Sequence, residues 1–190
     1  MILERARKIH LGNVDAGWWS DLNTGDCILV TRNRPELMML VVSELAEAHE
    51  GQMRGIPDDK LPQHPMFNVE LADTAIRLLD MIGAEERLHG VLTVAQSFDF
   101  DRMVGDLLTQ TNVSLMDAVN CVSTAMEHYR KGRTEEYRIA LLASLVMVFA
   151  VAYVHEVDNL WQIIDQKISF NRERADHKPE NRRAANGKRF

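Results

Sequence analysis

The chain has 190 residues, a length for one domain with room for an elaboration. Its 46% hydrophobic and 26% charged residues make a globular balance, which excludes wholesale disorder. The net charge of −6 is uneven: from Lys167 onward eight Lys/Arg stand against three Asp/Glu, a tail of +5 on a body of −11, which excludes a general nucleic-acid binder and suits a body that holds cations and a tail that meets phosphates.

The opening stretch, residues 1–10, carries Glu4, Arg5, Arg7 and Lys8 and no apolar run, so it does not read as a signal peptide. Residues 13–32 read as turns, with 27–30 either a short strand or a helical turn. A helix is expected over 36–54, with Pro35 at its first position, Asn33 or Arg34 before it and Gly55 ending it. A Pro- and Asp-rich loop follows over 56–65, then a helix over 66–82 stopped by Gly83, and another over 98–108. Ser114 caps a helix that ends at Lys131 before Gly132, with Asp117 at the third position. Thr134 caps the next, which runs to 155, and a last helix covers 157–175 ahead of a polar, irregular tail. The apolar run 139–154 falls short of a membrane span and is closed by Arg138 and His155-Glu156, so it reads as a buried core helix. No alternating strands, GxGxxG or GxxxxGK[ST] occur, so the expected fold is an all-α helical bundle. Cys27 and Cys121 are isolated, which argues against a disulfide scaffold or a cysteine zinc site and for a reducing, cytoplasmic setting.

The informative pattern is acidic. Glu44, Glu47 and Glu50 stand at i, i+3, i+6 on the first long helix, and Glu70 and Asp73 at i, i+3 on the second. Three residues turn a helix by about 300°, so neighbours in each series share a face. Both sets lie among apolar residues, including Leu40, Val41, Leu45, Leu71 and Ile76. Like charges at this spacing repel, and burial raises the cost unless something positive compensates. No Lys or Arg occupies the intervening turns, and an oxygen-only donor set suits Mg²⁺, with Mn²⁺ as substitute. The competing reading is two solvated helix faces. Two such pairs on consecutive helices joined by one loop favour a single site. Trp18 and Trp19 are candidates for base stacking, although core packing is the simpler role and adjacent residues point different ways. Glu86-x-x-His89 is the only Glu-x-x-His, one short of a di-iron bundle.

The order Glu-x-x-Glu, about two dozen residues, then Glu-x-x-Asp resembles the MazG-like branch of the all-α nucleoside triphosphate pyrophosphatases. Residues 16–25 (AGWWSDLNTG), 58–62 (DDKLP), 167–178 (KISFNRERADHK) and 187–190 (GKRF) resemble segments of phage and bacterial proteins of that kind. The resemblance implies that Glu44, Glu47, Glu70 and Asp73 hold the metal. It implies phosphate contacts from Lys167, Asn171 and Arg174, with Lys178 and Trp18 also at the substrate. The implied reaction is cleavage of a nucleoside triphosphate, expected to be a deoxynucleotide, between the α and β phosphates to a monophosphate and pyrophosphate. The family often carries Glu-Glu-x-x-Glu where this chain has Ser43, so the role of activating water passes to Glu47 or Glu50.

Under this reading the core is 1–84 and 157–178, with a helical insertion over 85–156 and a basic tail over 179–190. The insertion ends in a hairpin, 115–131 and 134–155, that repeats the organisation of the metal hairpin with Cys121 and Thr124 opposite Glu44 and Glu47. The family's bundles are usually dimeric, so the hairpin is expected either to replace a partner's or to be an unrelated elaboration of a possible homodimer. No membrane or nucleic-acid partner is expected. The alternatives are a hydrolase of the same fold acting on dUTP or an unusual nucleotide, and a non-catalytic helical interaction module.

Overall fold

The computed structural model describes residues 2–92, 99–110 and 112–188. The described chain is all-helical: α1 (Ile2–Asp15), α2 (Arg34–Arg54), α3 (Met66–His89), α4 (Phe100–Gln110), α5 (Leu115–Arg130), α6 (Thr134–Val154), α7 (Leu160–Glu173), a 3₁₀ turn (Ala175–His177) and the single-turn α8 (Pro179–Arg182). Among the described residues the β-pairing consists of isolated bridges, Ser20 with Cys27 and Pro57 with Pro65. Cys27 therefore starts no strand, and the chain after it makes a single helical turn in which the Arg32 amide donates to the Ile28 carbonyl at 2.7 Å.

Local signals set the ends of α2. Asn33 accepts the Glu36 amide at 3.2 Å, Pro35 sits in the first turn, and Gly55 closes the helix at φ 59°. The capping box at Ser114 and Asp117 opens α5 in the same way. The expected start of the fourth helix at Phe98 lies outside the described residues, and α4 begins at Phe100.

Three expectations need correction. Gly83 does not stop α3, which runs on to His89. Gly83 is instead a contact glycine: a Cβ there would lie 2.5 Å from the Ala6 carbonyl oxygen and 2.6 Å from His10 Cβ. That contact is made by α1, a helix absent from the sequence reading, which buries Ala6, Ile9 and His10 against α3. Second, Thr134 does not cap its helix: Arg133 is the cap residue, without a side-chain bond, and Thr134 is already the first residue of α6. The apolar run lies within that 21-residue helix as expected, and its window of mean hydropathy 2.0 has the length and composition to cross a membrane. Of that window 67% is buried inside the bundle, so α6 serves as a core helix. Third, the tail, as far as Lys188, folds back on the molecule. α7 ends at Glu173, Arg174 is extended, and the chain then winds through the 3₁₀ turn and α8 back toward the first turn of the molecule.

Helix α3 is the axis of the molecule. It packs against α1, α2, α6 and α7, while α5 packs against α2 and α6. The hairpin α2–α3 thus lies on the hairpin α5–α6, and both feed one apolar core that includes Val41, Leu45, Leu71, Leu78, Leu141, Leu145 and Ile164. Polar residues on α2 and α3 outside that core are left for α1, α7 and the tail to surround.

Candidate functional site

A cleft of about 1180 Å³ opens between α1, α2, α3, α7 and the tail. At one end it is lined by Glu44 and Glu47 from α2 and Glu70 and Asp73 from α3. One carboxylate oxygen from each of Glu44, Glu47 and Glu70 lies within 4.8 Å of the others. The i, i+3 spacing aligns Glu44 with Glu47, and the hairpin brings Glu70 across to them. The loop between the helices is braced by buried Asp58, which accepts the amides of Lys60 (2.9 Å) and Leu61 (2.7 Å) and so directs Lys60 into the cleft.

Electrostatics mark this end as short of positive charge. Burial, reinforced by Asp73 and Glu44, pushes the Glu70 carboxyl up to about 9. Burial and then Glu44 raise Glu47, and burial raises Asp73 against the opposing pull of Lys167. Among the described residues neither Glu47 nor Glu70 has a basic partner within ion-pair distance, although three bases, Lys60, Arg77 and Lys167, stand close by. Lys167 Nζ lies 2.7 Å from Asp73 Oδ2, and Arg77 Nε donates to Glu44 Oε1 at 2.7 Å. The turns around the acids are therefore not devoid of cations, as the sequence had suggested. Arg77 is four residues beyond Asp73 and seven beyond Glu70, on the same helical stripe, so its spacing was readable.

The expected residues divide as follows. Glu44, Glu47 and Glu70 converge. Asp73 lies beside them with its carboxylate given to Lys167, which is 1% exposed and does not line the cleft. Glu50 is not brought to the site: it is exposed and paired with Arg54 at 2.6 Å. The reason is geometric, because three-residue steps fall 60° short of a full turn, and two of them carry Glu50 about 120° away from Glu44. Ser43 lines the cleft with its hydroxyl donating to the Leu40 carbonyl at 2.8 Å. Asn171, Arg174 and Lys178 all line the cleft, and Asn171 Oδ1 is buried without a hydrogen-bond partner. Trp18 lines it too, but the Arg182 guanidinium covers its ring at 3.6 Å and His177 meets it edge-on at 5.2 Å. Its ring anchors the tail, which leaves it little freedom as a stacking platform. Trp19 is core: its indole N–H donates to Asp80 at 2.9 Å, beside His10. Glu85 and Glu86 pair with Arg34 and Arg7, so Glu86-x-x-His89 forms no ligand group.

Comparisons with family models, with curated proteins and with solved structures find no match to this chain. The case for a cation at the acidic end therefore rests on the donor set. Three carboxylates within 4.8 Å, two of them buried and one held protonated by its surroundings, fit a hard divalent cation that supplies the missing charge.

Proposed function

We propose that this chain is a divalent-cation-dependent nucleoside triphosphate pyrophosphohydrolase of the MazG-like kind, with Mg²⁺ as cofactor and a deoxynucleoside triphosphate as substrate. The observation that carries the reading is the convergence of Glu44, Glu47 and Glu70 at one end of a cleft whose tail side is lined by Arg174, Lys178 and Lys188. Carboxylates that would hold a cation and tail cations that would receive phosphate line the same cleft, as a polyphosphate bound through metal requires.

In this reading Glu44 and Glu70 would hold the cation, with Glu47 as a third ligand or its neighbour. A bound divalent cation lowers the pKa of coordinated water and offsets charge on the phosphates. Glu47, exposed to the cleft and with its pKa raised by burial and by Glu44, is placed to take the proton from an attacking water. Glu50 is too far round the helix for that task. Asp73 holds Lys167 in place behind the cluster, while Arg77 holds the orientation of Glu44. Arg174 and Lys178 balance charge on the departing pyrophosphate.

The test is the isosteric pair Glu47→Gln and Glu70→Gln. Both should lose pyrophosphate release by at least a hundredfold with Mg²⁺, and Glu70→Gln should also weaken Mn²⁺ binding measured directly. Wild-type turnover in both variants would remove the acidic cluster from the chemistry.

A further inference from the structure

We propose that Lys188 is a further polyphosphate-binding residue, carried to the cleft by the fold-back of the tail, and that the Asp176 carboxylate holds its place until phosphate arrives. This inference rests on reading the cleft as a nucleotide site.

The tail is built to deliver Lys188. After α7 the chain turns at Ala175–His177, and Asn181 donates to the Ala175 carbonyl at 2.6 Å, closing the turn on α8. Arg182 is 1% exposed. Its guanidinium stacks on Trp18, donates to the Gly17 carbonyl at 3.0 Å, and donates through Nε to the carbonyl of Lys188 itself at 3.1 Å. Gly187 makes the last bend possible, since a Cβ there would lie 2.3 Å from the Arg182 carbonyl oxygen and 2.6 Å from that of Asn181. A buried arginine and an obligatory glycine thus fix the backbone of a residue whose own side chain is half exposed on the cleft wall.

Asp176 completes the argument. Arg174 reaches it through Nε at 2.9 Å and Nη2 at 2.6 Å, and Lys188 Nζ at 3.1 Å. The carboxylate sits between two cations that both line the cleft, as an anionic oxygen pair of a phosphate would. With Lys188 49% and Asp176 47% exposed, the lysine's half of this arrangement adds little to stability and is open to exchange, whereas Arg174 is 18% exposed and held by two bonds. A triphosphate offers more anionic oxygens than one carboxylate, so Lys188 transfers from Asp176 to the ligand, with Arg174 and Lys178 on the same cleft wall.

Binding of inorganic triphosphate to the full chain, without divalent cation and at low ionic strength, tests this. Lys188→Met should weaken binding roughly tenfold and flatten its salt dependence, with an unchanged melting temperature. Asp176→Asn should tighten binding severalfold, because it removes a competitor. The opposite sign, weaker binding in Asp176→Asn, would make Asp176 a brace for the tail and overturn the exchange. Wild-type affinity in Lys188→Met, or no triphosphate binding by the wild type, would overturn the role of Lys188. Pyrophosphate release by the wild type, read alongside, separates these failures from failure of the functional reading itself.

Discussion

Glu70 holds its proton because burial, and then Asp73 and Glu44, disfavour its charge, which moves the carboxyl from 4.5 to about 9. The sign of the linkage follows. The folded pKa lies above the unfolded one, so the stability this group contributes is complete below about pH 4.5 and is lost as the pH rises toward about 9. Metal-free protein should therefore lose melting temperature across that window, added Mn²⁺ or Mg²⁺ should restore it increasingly at the alkaline end, and Glu70→Gln should flatten the slope. A slope unchanged by Glu70→Gln in thermal melts between pH 5 and 9 would refute the assignment. The residues of the cluster were legible in the sequence because i, i+3 spacing is a property of one helix. The pairing of Asp73 with Lys167 was not, because it joins α3 to α7 across a separation no local pattern encodes. Trp18 was legible as a cleft residue, while its capture by Arg182 depends on a tail that read as irregular.

Gly83 shows what is lost when an element is read alone. In an isolated pattern a glycine after an apolar helical stretch signals a stop, which would end α3 at Ile82. In the fold the same residue is the point where α1 crosses, close enough that the Ala6 carbonyl would meet any Cβ at 2.5 Å. The two roles predict opposite signs. A glycine merely inside a helix would gain about 0.5–1 kcal/mol on replacement by alanine. A contact glycine should lose about 1–3 kcal/mol as α1 is pushed away. Denaturant unfolding of Gly83→Ala should show the loss, and a gain would contradict the α1–α3 packing. Helix α1 escapes a reading by composition because its apolar positions are few and its outer face is charged, although its amphipathic periodicity is stronger than that of α3. The caps at Asn33 and Ser114 and the glycines at 55 and 132 were legible because each acts within a few residues of itself.

The whole chain divides its labour between an apolar scaffold and a charged cleft. A helix apolar on all sides, α6, must be covered, and α3, α4 and α5 cover it, so the insertion contributes core and the acidic end of the cleft stays open. An all-α fold was readable from the absence of alternating patterns and from the spacing of the prolines. The cleft was not, because α1, α7 and the tail converge on it from both ends of the chain. Carboxylates of the acidic body and cations of the basic tail line one cleft, and that shared lining is the basis for proposing a triphosphate cut between its α and β phosphates.

Phosphorus NMR of the products formed from each common deoxynucleoside triphosphate with Mg²⁺ tests that claim most directly. The account predicts nucleoside monophosphate and pyrophosphate in equal amounts, formed by the wild type and not by Glu47→Gln. Nucleoside diphosphate with inorganic phosphate, or no turnover of any nucleotide, would contradict it.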